Sequence, residues 1–222
     1  MKLLAVGDSF TYGDELADRN VAWPFLLGKQ LGWSVTNLGQ PASGNTRMVR
    51  TVVENIDNFD VFIIAWSHWG RIEFADEHGV YDIWPGCNIA PYQKSTPHRI
   101  QLIDYLNQYH NDEYLIRQFF LNIIVLQNYL TQKNKKYLML TTFGLTNIFN
   151  QPHGNLKNLI SREKLSDLTD QIDTKSYIGW PNTMMEMTHD VPKGPGGHFL
   201  EQGHEIVADK IYEHIRHLGW VS

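Results

Sequence analysis

Apolar runs of strand length alternate along the chain with stretches whose apolar residues recur at helical spacing, the pattern of strands joined by crossover helices into a mostly parallel sheet. Lys2-Leu3-Leu4-Ala5-Val6 reads as a short buried strand, and Gly7-Asp8-Ser9 breaks it sharply. Trp23-Pro24-Phe25-Leu26-Leu27 with Leu31 predicts a helix that has Pro24 near its first turn and is closed by Gly32. Val35 to Leu38 predicts a second strand, and Thr46 to Ile56 carries the period of a helix. Asp60 to Ala65 is a continuous β-branched and aromatic run, as expected of a strand buried on both faces.

From Gly70 to about Asn111 the alternation lapses into a stretch bearing Trp, His, Pro and Gly, which predicts an elaborated loop or lid. A long amphipathic helix follows from near Tyr114 to Leu130, then a buried strand over Tyr137 to Thr141. Between Phe143 and Lys193 the pattern supports only a helix from Leu156 to Leu168. The last element is a helix from Glu201 to Leu218, with Ile206, Val207, Ile211, Ile215 and Leu218 as its apolar stripe and Gly219 as its stop. With no linker, repeat or low-complexity stretch, 222 residues are expected to form a single α/β domain over 1–222.

Charge narrows the partners. The chain has 19 Lys plus Arg against 24 Asp plus Glu, a net charge of −5, and no basic run to track a phosphate backbone, so nucleic acid is not an expected partner. No apolar run approaches membrane-spanning length, and the first strand starts almost at Met1 without signal-peptide features, which predicts a cytoplasmic protein. Cys87 is the single cysteine; it stands in a turn-like run with no motif around it and reads as a bystander.

The candidate chemistry starts at Ser9. A serine on a tight turn after a strand exposes its hydroxyl at the carboxyl edge of the sheet, but it becomes a nucleophile only if a base takes its proton. The glycine-loosened loop Gly196-Gly197-His198, just ahead of the last helix, supplies an imidazole. Asp8 reads as structural, bonding backbone N–H groups of the turn. His189, His198, His204, His214 and His217 gather near the C-terminus, yet they lack the His-Glu-x-x-His spacing and an acidic cluster, so no metal is expected and His204 reads as covering the outer face of the helix. Trp66 reads as packing, while Trp69 and Trp84 could pack or form a stacking platform.

Taken in order, these blocks resemble the SGNH, or GDSL-type, hydrolase superfamily. Gly7-Asp8-Ser9 is similar to its first block, Asn37-Leu38-Gly39 with Ser43-Gly44-Asn45-Thr46 to its second, and His198 ahead of Gly203 to its last. The resemblance implies a three-layer α/β/α, flavodoxin-like fold, with Ser9 as nucleophile and His198 as base. It also implies an oxyanion hole made by the N–H groups of Ser9 and Gly44, with Gly39 as the lesser candidate, and no cofactor.

Two blocks depart from the family pattern. Ala65-Trp66-Ser67-His68-Trp69-Gly70-Arg71 lacks the usual asparagine, so His68 or the Ser67 hydroxyl could donate to the oxyanion instead, and Arg71 could reach the same pocket. Pro195 stands where the family has an aspartate, which leaves Asp190 as the nearest upstream carboxylate or else a Ser–His dyad. The expected activity is hydrolysis of a small acyl ester, with carbohydrate O-acetyl groups as the family-level substrate. Transfer of the acyl group to another acceptor would use the same residues. The departures also admit a weakly catalytic or non-catalytic binding module of a viral particle or other assembly, and the blocks resemble SGNH-like proteins of tailed phages, for which a virion location would follow.

Overall fold

The structure is a computed structural model and describes residues 1–77, 79–85, 97–143 and 162–221. Its strands are β1 (Lys2–Val6), β2 (Ser34–Asn37), β3 (Val61–Trp66), β4 (Ile72–Asp76), β5 (Gly79–Ile83) and β6 (Lys136–Thr141). Its α-helices are α1 (Ser9–Tyr12), α2 (Trp23–Leu31), α3 (Asn45–Glu54), α4 (Pro97–Tyr109), α5 (Asp112–Gln132), α6 (Arg162–Thr169), α7 (Met184–Met187) and α8 (Glu201–His217). Four strands form a parallel sheet in the order β2-β1-β3-β6. Beyond β6, Tyr177 makes a parallel bridge to Met139, which extends the order to that of a flavodoxin-like sheet.

Side-chain alternation builds the layers. Leu4, Val6, Phe62, Ile64, Trp66 and Met139 point to one face, where they pack on α3, α5 and α6. Leu3, Ala5, Val61, Ile63, Ala65, Leu138 and Leu140 point to the other, against α2 and α8. Every residue of β3 is buried, as its unbroken apolar run requires. Trp66 is core, edge-to-face with Phe119. Gly32 closes α2 in the left-handed conformation, at φ 64°.

The loop expected over residues 70–111 is corrected: this stretch holds the antiparallel hairpin β4–β5 and the helix α4, with a small apolar cluster of its own around Ile83 and Ile103. Its strands are five residues each and mix charged with apolar positions, too short a signal to stand out from a loop. The helix expected over Leu156–Leu168 falls partly outside the described residues, and its described end is α6; Cys87 lies outside them altogether. No described helix is long and apolar enough to cross a membrane.

His204 is also corrected. It is 1% exposed, packs on the Phe199 ring, and its Nδ1 accepts the Trp23 N–H at 3.1 Å, tying α8 to the head of α2. Among the described residues, no three His, Cys, Asp or Glu side chains gather as a metal site would need.

Candidate active site

The chain leaves β1 toward β2 on one side and leaves β3 toward β6 on the other, and such a reversal opens a crevice at the carboxyl ends of these two central strands. Ser9 follows β1 there, and His68 follows β3. The turn is tight: a Cβ on Gly7 would land on the Thr11 hydroxyl, so only glycine fits. Asp8 is the N-cap of α1, its Oδ1 accepting the Phe10 N–H at 3.1 Å.

Asp8 is fully buried, which pushes its carboxyl up, against the pull of Arg71 and a hydrogen bond from Ser67. The Ser67 hydroxyl donates to Asp8 Oδ2 at 2.9 Å and accepts from Arg71 Nη1 at 2.8 Å. A hydroxyl has one proton, so the expectation that Ser67 serves an oxyanion is corrected: that proton is committed to Asp8. Arg71 lies 3.6 Å from Asp8 Oδ2, with Trp84 and Phe143 rings over its guanidinium at 4.8 and 5.2 Å. Its charge offsets that of the buried carboxylate in the Gly7-Asp8-Ser9 turn.

His198 stands in the loop ahead of α8 and reaches the Ser9 turn. Its Nε2 lies 2.8 Å from Ser9 Oγ, and Phe10 packs against its ring. Its Nδ1 lies 2.8 Å from Glu15 Oε2, which also accepts the His198 N–H at 3.1 Å, while Oε1 accepts the Gly196 N–H at 2.7 Å. The Gly196 N–H bond, with the two from His198, holds the Glu15 carboxyl below its usual range. The loop passes close to this carboxyl: a Cβ at Gly194 would sit 2.6 Å from the Glu15 carboxyl carbon, so a side chain there would displace Glu15.

Asp190 does not join this set, and the expectation is corrected: its side chain is 84% exposed and pairs with His189 at 2.6 Å. The loop closes on itself, through Gly194 N–H to His198 C=O at 2.8 Å and Leu200 N–H to Pro192 C=O at 3.1 Å, and leaves Asp190 outside. Sequence reasoning missed Glu15 because 183 positions separate it from His198. The available signals were an acidic residue soon after Gly7-Asp8-Ser9 and a glycine run able to aim several N–H groups at one anion. Glu15 itself has φ 65°, a left-handed strain for a side chain of its size, held by its three contacts to the loop.

On the opposite side of the crevice, Gly44 is the N-cap of α3, and its N–H donates to Asp82 Oδ1 of β5 at 2.7 Å. Burial pushes the Asp82 carboxyl up while this bond pulls it down. The Gly39 N–H is paired as well, with Asn37 Oδ1 at 2.9 Å. His68 packs on Trp69, and its Nδ1 accepts the Gly70 N–H at 3.1 Å, so the ring proton sits on Nε2. Asn45 clamps the strand end, donating to the His68 C=O and accepting the Ser67 N–H, each at 3.0 Å.

Burial draws both His68 and His204 down to about 4, helped at His68 by Arg71 and at His204 by His198. A histidine held neutral in the fold but free to protonate when unfolded costs stability as pH falls from its ordinary 6.5 toward 4. Each is expected to lose about 2 kcal/mol between pH 7 and pH 5. Urea unfolding at the two pH values measures this. His204→Asn, which keeps an acceptor for the Trp23 N–H, should show a visibly smaller loss; an equal one would exclude His204 as a source.

Solved structures share this fold. TesA superposes with a TM-score of 0.60 at 13% identity, over 98% of this chain and 99% of that one. The psychrotrophic esterase EstA from Pseudoalteromonas sp. gives 0.55 at 12%, over 98% and 97%, and the acetyl xylan esterase AlAXEase gives 0.51 at 14%, over 97% and 100%. The fold is that of the SGNH, or GDSL-type, lipolytic hydrolases. No functionally curated protein matches the sequence. At the level of sequence families, the model described as a family of unknown function, DUF6071, matches residues 12–222, which include Glu15, Gly44 and His198, and the chain belongs to that family.

Proposed function

We propose that this chain is a serine esterase or acylhydrolase whose catalytic triad is Ser9, His198 and Glu15. The observation that carries this reading is the hydrogen-bonded series from Ser9 Oγ to His198 Nε2 and from His198 Nδ1 to Glu15, each 2.8 Å long. An ionised carboxylate only accepts, so Nδ1 keeps the ring proton and Nε2 turns its lone pair to the serine hydroxyl.

As Ser9 Oγ bonds to the acyl carbon, its proton passes to Nε2 and the carbonyl π electrons move onto oxygen. Glu15 stabilises the imidazolium, which then gives the proton to the departing alkoxide as the ester C–O bond breaks. Water, deprotonated by the same nitrogen, releases the acid from the acyl-enzyme and restores Ser9. The backbone N–H groups of Ser9 and Gly44 and the Nε2–H of His68 are the oxyanion donors in this scheme.

Small acyl esters, carbohydrate O-acetyl groups among them, are the substrate class, a choice supported by the shared fold with an acetyl xylan esterase. The bond from Gly44 to Asp82 favours a second reading, a binding module of the same fold with little turnover, because it engages one donor of the oxyanion hole.

Two measurements decide between them: hydrolysis of p-nitrophenyl acetate, and labelling by a fluorophosphonate read by intact mass. The esterase reading expects turnover and a single phosphonyl adduct on the Ser9 peptide; neither turnover nor adduct, in wild type and in Asp82→Ala alike, would leave the binding module. For the third donor, His68→Ala is expected to lower kcat roughly a hundredfold with little change in KM. An unaltered kcat would remove His68 from the mechanism.

A further inference from the structure

The hairpin β4–β5 sits on the head of α3. Asp82 of β5 is only 9% exposed, and its Oδ1 takes the Gly44 N–H at 2.7 Å. The hairpin backbone presses on the same glycine: a Cβ there would lie 3.1 Å from both the Glu73 nitrogen and the Ile72 carbonyl carbon. A side chain at Gly44 would crowd the hairpin, and the Gly44 N–H is already paired.

A charge-assisted bond to a carboxylate is roughly twice as strong as a neutral one. The carbonyl oxygen of an incoming ester carries only a partial charge and competes poorly for that N–H. Were the ester to react with Asp82 still in position, the oxyanion would form beside a fixed negative charge, in a partly buried setting where repulsion is weakly screened.

We infer that Asp82 is an autoinhibitory side chain, which holds the hydrolase at rest by occupying the oxyanion donor Gly44 and must leave it before an acyl group can be transferred to Ser9. This rests on the esterase reading above. Release does not require the hairpin to unfold, because rotation of one side chain frees the N–H. Arg47 and Arg71 both attract the Asp82 carboxylate, while Glu73 of the neighbouring strand repels it. Arg47 is itself anchored, through Nη1 at 3.3 Å from both the Leu38 C=O and Ser43 Oγ, and so offers a fixed positive charge near the departing carboxylate.

The test compares the intact chain with Asp82→Ala and Asp82→Asn, reading the second-order rate of Ser9 phosphonylation and kcat/KM on p-nitrophenyl acetate. Removing the carboxylate is expected to raise both about tenfold or more, the scale of a lost charge-assisted bond. Asp82→Asn keeps a neutral acceptor of the same shape, and its rates are expected to fall between those of wild type and Asp82→Ala.

An Asp82→Ala protein with an unchanged melting temperature that labels no faster than wild type would overturn the inference, since Asp82 would then support the site. If Asp82→Ala melts early, Asp82→Asn decides, and a rate at or below wild type overturns the inference in the same way. A folded wild type and both variants that all fail to label, with activity no different from Ser9→Ala, would sink the esterase reading itself and this inference with it.

Discussion

Ser9→Ala is expected to bring hydrolysis of p-nitrophenyl acetate down to background, a loss of roughly 10⁴-fold or more in kcat. The substitution removes only the hydroxyl, which is the atom that meets His198 Nε2 at 2.8 Å. It leaves the backbone N–H of residue 9 and the Asp8 cap on Phe10 untouched. The fold should therefore persist, with a melting temperature close to that of wild type, and the fluorophosphonate adduct should vanish along with turnover. Turnover that survived in a folded Ser9→Ala protein would mean that another group attacks the ester.

Glu15→Gln is expected to lower kcat by roughly 10² to 10⁴-fold, whereas Asp190→Asn should leave kcat and KM unchanged. The amide is nearly the size of the carboxylate, so the effect is electronic and geometric. It cannot stabilise the imidazolium by charge, and one of its two terminal atoms becomes a donor facing N–H groups of Gly196 or His198 that need acceptors.

Acid should expose the same carboxylate. Because Glu15 is held below its ordinary 4.5 in the fold, the stability it adds is complete above that value and is lost as pH falls toward its depressed folded value. Urea midpoints of wild type and Glu15→Gln should therefore converge on acidification below about pH 4.5. Equal kcat for wild type and Glu15→Gln would leave a Ser–His dyad, and a large loss in Asp190→Asn would return the third place to Asp190.

Legibility followed the range over which each signal acts. The helices α2, α3, α5 and α8 and the strands β1, β3 and β6 were readable because each carries its own period or apolar run. Boundaries moved by one or two residues where caps decide them: α5 begins at Asp112, with Asn111 as a side-chain cap on the Tyr114 N–H, two positions ahead of the periodic signal. The hairpin β4–β5 was missed because its small cluster borrows Ile103 from α4, a partner no local window contains. His204 looked like surface on the helix wheel and is buried because Trp23 and Phe199 close over it.

By itself, the sequence determined the layered α/β chain, the Gly7-Asp8-Ser9 turn at a strand end, and the presence of Gly44 and His198 in the order of the blocks they resemble. These are properties of short segments: period, steric fit at one glycine, and a strand end that exposes its next residue. Tertiary structure alone decided the company they keep. Glu15, which lies 183 positions from His198, meets its Nδ1; the proton of Ser67 goes to Asp8; and Asp82 reaches Gly44 from a hairpin 38 positions on. A buried carboxylate goes wherever converging N–H groups offset its desolvation, and that convergence is set by how loops close on a packed sheet, which no spacing along the chain encodes.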